Sequence, residues 1–309
     1  MNTSATVELI VPAGCGPRIQ QTSLLIESIR EYAPDLPTYI CLPDAEWGNV
    51  PREVREHWDT AGTLLKSKIP LSEYPVSAKI GALRKVERDR DINGRTRVLL
   101  DTDTVLLDRL PDQIIAPDTE VAAKPEDTDR EFWSSTESES EWRDLYSSFN
   151  LQWPGYTHRS STEGRPIPPY YNSGVVVTKT ELADRWLELT QSVLEEFPGE
   201  FFSDQLGLAL LMRSHVTESL PETMNYPGHI EWRPPRNTTI LHYHTNDALE
   251  RVLDPFLRRR LRRLSSSPIE SDYPTLSQLF SAARTTVGSV RRIYLNPYLG
   301  EPAKMSNAK

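Results

Sequence analysis

Residues 97–110 read RVLLDTDTVLLDRL. An apolar run, Val98 to Leu100, enters two aspartates, Asp101 and Asp103, separated only by Thr102, and resumes at Val105, Leu106 and Leu107. The run reads as a buried strand over 96–103. Residues i and i+2 of a strand point to the same side, so the two carboxylates are expected to converge. Such a pair is costly to bury unless a cation neutralises it. A divalent ion held by one or two carboxylates commonly completes its shell with substrate phosphates. The stretch therefore reads as a metal–diphosphate site at a strand end. On this motif alone the plainer alternative, a solvated turn in which Asp is common, stays open.

The surroundings place that strand in a sheet. Strands are expected at 6–13, 37–43 and 62–69. Helices are expected at 19–33, at 50–58 with Pro51 at its start, and at 76–90 with Ser77 as N-cap. This alternation predicts an α/β fold, a mostly parallel sheet flanked by helices. Ligands of such sheets bind outside the carboxyl ends of the strands, where Asp101 and Asp103 fall. Residues 128–170 break the pattern and are rich in aromatics, Trp133, Trp142, Trp153, Tyr156 and Tyr170 among them. A long segment with little periodicity is usually functional or mobile. Order resumes with a strand in YYNSGVVVTK (170–179), helices at 180–197 and 203–213, the latter with Ser203 as cap, and a late strand in TTILHYH (238–244).

Composition bounds the function. With 309 residues, 38% hydrophobic and 26% charged, the chain suits a soluble globular protein. Its net charge is −9 and its pI about 5.3, which argues against a general nucleic-acid footprint. No apolar run approaches the roughly 18–20 residues that span a bilayer, and the first residues lack the basic start of a signal peptide. Cys15 and Cys41 read as small core residues in a reduced, cytoplasmic setting.

Two chemistries share an apolar strand followed by Asp-x-Asp. One is sugar transfer from nucleotide sugars; the other is that of haloacid-dehalogenase-like phosphatases, with Asp101 as nucleophile. The phosphatase motif normally opens its domain, whereas here about a hundred residues of α/β pattern precede it. Four further segments favour transfer, in order along 6–245: SAKIGALRK, YYNSGVVV, SDQLGLALL and TILHYH. With LLDTDTVLL they resemble a GT-A-fold glycosyltransferase of family 8, the glycogenin- and galactosyltransferase-like kind. A GT-A domain over 1–264 is expected, followed by an appendage over 265–309.

The resemblance implies roles. Asp101 and Asp103 would chelate Mn2+ or Mg2+ with His242 as third ligand, and His244, on the same side, is the rival histidine. Lys79 would contact the donor's phosphate or sugar, with Arg84 as a weaker candidate. Pro12, Ala13 and Gly14 would lie against base and ribose, and Thr102 sits between the chelating pair. Asn172 and Gly174 would approach the donor sugar, Asp204 would bind its hydroxyls, and Gln205 would lie beside the anomeric carbon. The family's usual donor is a UDP-sugar, and it retains anomeric configuration. The acceptor would be a saccharide, lipid-linked or protein hydroxyl near the aromatic segment; the remaining alternative is a non-catalytic sugar-nucleotide-binding relative. One departure stands out. The Gly and Lys-Pro-Trp-like run that follows the family's histidine is missing from HYHTNDALERV, leaving Arg233 or Arg236 as stand-ins. The helix expected at 254–264 carries Arg258, Arg259, Arg260, Arg262 and Arg263 opposite Leu257, Leu261 and Leu264. It could dock on the domain or meet the inner membrane face peripherally.

Overall fold

Alternating strand and helix segments of the first half assemble as their apolar patterns require. The computed structural model describes residues 6–90, 95–126, 139–160, 164–198, 202–231 and 233–244. Trp133, the Arg-rich segment 254–264 and the appendage from 265 lie outside them. The strands are β1 (Thr6–Val11), β2 (Thr38–Pro43), β3 (Thr63–Ser67), β4 (Arg95–Leu100), β5 (Thr104–Leu106), β6 (Val121–Pro125), β7 (His158–Arg159), β8 (Pro166–Ile167), β9 (Tyr171–Thr178), β10 (Thr217–Ser219), β11 (Tyr226–Pro227) and β12 (Ile240–His242). The α-helices are α1 (Arg18–Tyr32), α2 (Arg52–Asp59), α3 (Ala78–Asp89), α4 (Glu139–Ser148), α5 (Ala183–Glu196) and α6 (Ser203–Met212).

A seven-stranded sheet runs in the order β10-β6-β9-β4-β1-β2-β3. β9 alone is antiparallel to its neighbours β4 and β6; the other pairings are parallel. Side chains alternate between two cores. Leu9, Val11, Val98, Leu100, Val175 and Val177 face α1 and α2, where Ile26, Ile29, Val54 and Trp58 meet them. Ile10, Leu99 and Val176 face the other way, onto Ile80, Leu83, Trp186 and Leu206 of α3, α5 and α6. A strand buried on both faces needs the near-continuous apolar runs this sequence shows. Among the described residues no helix is long and apolar enough to cross a membrane.

Four local expectations are corrected. The strand stops at Leu100, not at residue 103: Asp101, Thr102 and Asp103 form a turn closed by the Thr104 N–H on the Asp101 carbonyl (3.0 Å), with the Thr104 hydroxyl on the same oxygen (2.7 Å). Asp at a strand end finds its hydrogen bonds in such a turn. Ser77 stands at the N-cap of α3 but makes no cap hydrogen bond through its side chain, and Phe202, not Ser203, holds the N-cap of α6; the Ser77 hydroxyl instead takes the Leu71 N–H (3.1 Å) and donates to the Leu71 carbonyl. Finally, part of the aperiodic stretch is α4. It buries Trp142, Leu145 and Tyr146, an i, i+3, i+4 face visible in the sequence but masked by the polar residues around it.

Gly81 sets where α3 lies. A Cβ there would stand 2.2 Å from the Lys68 carbonyl oxygen, so only glycine lets the helix rest on the chain that leads into it. Gly81→Ala is expected to lower stability by about 1–3 kcal/mol, the usual cost of overpacking a filled site. Urea denaturation reads this as an earlier midpoint, and an unchanged midpoint contradicts the packing.

Candidate active site

The carboxyl edge of the sheet gathers the polar residues that the sequence scatters over 160 positions. β4 delivers Asp101, whose N–H bonds the Gly174 carbonyl (2.8 Å). Because β9 runs antiparallel to β4, its first residues, Asn172 and Ser173, arrive at the same edge. α3 and α6 both begin there, with Lys79 and Asp204 in their first turns. A second, three-stranded sheet, β11-β12-β5, closes the group. Its ladder sets His242 opposite Thr104, and the Tyr243 N–H bonds the Asp103 carbonyl (3.0 Å). His242 and Asp103 therefore meet through strand register, with Nε2 to Oδ1 at 3.3 Å.

A cleft of about 130 Å3 opens between these elements. Lys79, Asp101, Asp103, Asp204, His242 and His244 supply its ionisable walls, with Asn172, Ser173, Gly174 and Gln205 between them. Lys79 Nζ donates to Asp101 Oδ2 (2.6 Å) and Ser173 Oγ (3.0 Å) and lies 3.3 Å from Asp204 Oδ2. Burial alone would depress the ammonium, but the Asp101 and Asp204 carboxylates outweigh it and raise its pKa. Burial lifts the Asp101 carboxyl to about 6 against the pull of Lys79. Asp103 is also penalised by burial, yet His242 beside it brings it below its usual value. His244 is driven well down by burial and by the neighbouring His242.

Asp204 is held from two sides. Tyr74 donates to Oδ1 (2.6 Å) and Ser173 to Oδ2 (2.7 Å). Ser173 lies inside YYNSGVVV, whereas Tyr74 carries no sequence signal beyond its place before α3. The Gln205 Oε1, buried in the cleft wall, has no hydrogen-bond partner among the described residues.

Hydrogen bonds also fix the face that His242 presents. The Gly174 N–H donates to Asn172 Oδ1 (2.9 Å), which identifies that atom as oxygen. The Asn225 group on the same oxygen is then its NH2 (3.0 Å), so the other end of Asn225 is a carbonyl. That carbonyl lies 3.0 Å from His242 Nδ1, so Nδ1 carries the proton. Nε2 is left to face the Asp103 carboxylate. Two acceptors at 3.3 Å require a proton or a cation between them: against the effect of burial, the Asp103 carboxylate raises the pKa of the His242 imidazole, and a divalent ion would fit in that proton's place. Asn225 had no sequence signal; its role appears only when β11 and β12 pair beside it.

Gly174, in the cleft wall, packs under His242: a Cβ would stand 2.2 Å from the ring. Other expected residues fall elsewhere. Arg84 is not in the cleft. It lies five residues beyond Lys79, about 140° around the helix, and pairs with Asp184 of α5. Arg233 and Arg236 are exposed and do not line the cleft. Pro12, Ala13 and Gly14 follow β1 at the same sheet edge without lining the cleft. The Arg18 side chain lies over Gly14, and Glu46 fixes the loop through Arg18 (2.5 Å) and the Cys15 N–H (2.7 Å). Thr102 is buried in the turn. Trp142, Trp153, Tyr146 and Tyr170 pack on one another with centroids 5.3–6.2 Å apart, and only Tyr156 at their edge is well exposed, at 44%.

Solved structures share this architecture. The galactosyltransferase LgtC, in complex with donor and acceptor sugar analogs, superposes with a TM-score of 0.51 at 10% identity, over 86% of this chain and 98% of its own. The bifunctional glycosyltransferase WbbM gives 0.51 at 13% identity, over 86% and 52%. The glycosyltransferase GlyE of Streptococcus pneumoniae TIGR4 gives 0.48 at 16%, over 86% and 66%. The chain thus spans just under two thirds of GlyE and about half of WbbM. No curated protein matches. The fold is GT-A. Glycosyltransferase membership and the antiparallel β9 in mid-sheet set the phosphatase alternative aside. The family model of the Rhodobacterales glycosyltransferase domain matches residues 14–215, well over half of the sequence, and the chain belongs to that family of sugar transferases.

Proposed function

We propose that this glycosyltransferase is metal-dependent and moves a sugar from a nucleoside-diphosphate sugar, a UDP-sugar by its resemblance, to an acceptor hydroxyl with retention of configuration. One observation carries the reading: three carboxyl groups, Asp101, Asp103 and Asp204, line the cleft with a single ammonium, Lys79. With His242 neutral, these groups leave two negative charges unmatched, the charge of one divalent cation. Asp101, Asp103 and His242 would hold Mn2+ or Mg2+, and imidazole favours Mn2+. When bound, the cation offsets charge developing on the departing diphosphate.

The chain's own groups do the rest. Lys79 places a fixed positive charge beside the carboxylates, where a diphosphate would lie. Asp204, held by Tyr74 and Ser173, offers its remaining lone pairs to sugar hydroxyls; a carboxylate tied at both oxygens is suited to orienting a sugar rather than attacking it. Gln205 Oε1 is an open acceptor for a donor or acceptor hydroxyl. Asn172, its amide engaged with Gly174 and Asn225, shapes the wall against the sugar. The loop Pro12–Gly14 is assigned to the nucleoside, and the exposed edge at Tyr156 to a saccharide acceptor.

UDP and Mn2+ together are expected to raise the thermal midpoint, since a ligand at 100 times its dissociation constant adds about 2.7 kcal/mol. In Asp103→Asn the joint shift should vanish; its full persistence would remove Asp103 from the cation site. Asn225→Leu takes away the acceptor that orients His242 and should weaken Mn2+ binding by about 10–100-fold. Calorimetry checks this, and an affinity equal to that of the wild type contradicts the orienting chain.

A further inference from the structure

We propose that His244 is a further ligand of the same cation, which then binds two imidazoles, His242 and His244, beside Asp101 and Asp103. The inference rests on the metal-dependent reading above and adds a ligand to it. Asp103, His242 and His244 each offer a donor atom, and these atoms all lie within 4.8 Å of one another. Ligands of one ion at bond lengths of about 2.0–2.2 Å are separated by up to about 4.4 Å, so side-chain rotation closes the set. Asp101, paired with Lys79, is not one of these three.

Two features of His244, an unpartnered nitrogen and an unusual backbone, point the same way. Its Nε2 is buried and has no hydrogen-bond partner among the described residues. A buried imidazole nitrogen without a partner is costly, and an apolar residue would fill the space without that cost. Its ring lies against His242, centroids 3.7 Å apart and planes 20° from parallel, with His229 at 3.9 Å; because an imidazole lone pair lies in the ring plane, the ring turns out of this stack to share an ion with His242. Its backbone is left-handed, φ +57°, a conformation that a non-glycine residue adopts rarely and that clusters at functional sites. That turn, two residues past His242, brings the second ring back over the first. Two imidazoles also define the ion: they suit Mn2+, Co2+ and other first-row ions, whereas Mg2+ prefers all-oxygen shells.

The test uses the full chain stripped by chelator and reloaded with Mn2+ or Co2+ alone. Pulsed electron paramagnetic resonance of bound Mn2+ counts coordinated imidazole nitrogens, and calorimetry gives affinities for Mn2+, Co2+ and Mg2+. Two imidazoles are expected in the wild type and one in His244→Asn, a substitution that tolerates the left-handed backbone. Co2+ affinity should fall at least about tenfold in the variant, and the preference for Co2+ over Mg2+ should shrink. A single imidazole in the wild type overturns the proposal, and that count stands even if the variant fails to fold. So does a folded variant with wild-type Co2+ affinity; both results leave the metal-dependent reading intact. Failure of the wild type to bind Mn2+ or Co2+ at all removes that reading and the proposal together.

Discussion

Negative charge crowded at the carboxyl edge of the sheet is the constraint around which this fold is arranged. Asp204 is fully buried, and Asp101 and Asp103 are largely so, with side chains 19% and 22% exposed. One lysine stands among them. Carboxylates in such a setting persist only if each finds donors or a counter-charge. The structure supplies both locally: Tyr74 and Ser173 for Asp204, Lys79 for Asp101 and Asp204, and, when its imidazole is doubly protonated, His242 for Asp103. What is left over is the capacity to take a cation and the anion that comes with it.

Topology makes this crowding possible. In a fully parallel sheet, the residues that open a strand would lie at the amino edge, away from the ligands. Reversal of β9 carries Asn172, Ser173 and Gly174 to the carboxyl edge, beside Asp101. The small β11-β12-β5 sheet does the same for Asn225 and His242 on the far side of Asp103. A backbone amide at Gly174 then orients Asn172, Asn172 orients Asn225, and Asn225 orients His242. Glycine at 174 both provides that N–H and leaves room for the imidazole.

Much of this was legible in the residues. Strands such as Val98–Leu100 and Val175–Val177 are short apolar runs bounded by polar turns, and helices α1, α3 and α5 carry apolar residues at helical spacing, so their kinds and order could be read. Asp101, Asp103, Lys79, Asp204, Gln205 and His242 fall in motifs whose order along the chain resembles family 8, and the structure brings all six to one cleft. What escaped was set by contacts between distant segments. Tyr74 meets Asp204 across 130 positions, and Asn225 meets Asn172 across 53; neither carries a local pattern. The charge of Arg84 is visible in the sequence, but its helical phase turns it from Lys79 toward Asp184 of α5. Alternation of residue type continues through the turn at Asp101–Asp103, so the sequence does not mark where β4 ends.

The most direct test of the central claim is anomalous diffraction at the manganese edge from crystals grown with Mn2+ and UDP. The account predicts one strong peak in the cleft, within bonding distance of Asp103 and His242, with the diphosphate beside it and Lys79 near the phosphates. Nucleotide bound with no anomalous peak in the cleft, or a peak away from Asp103 and His242, would contradict it.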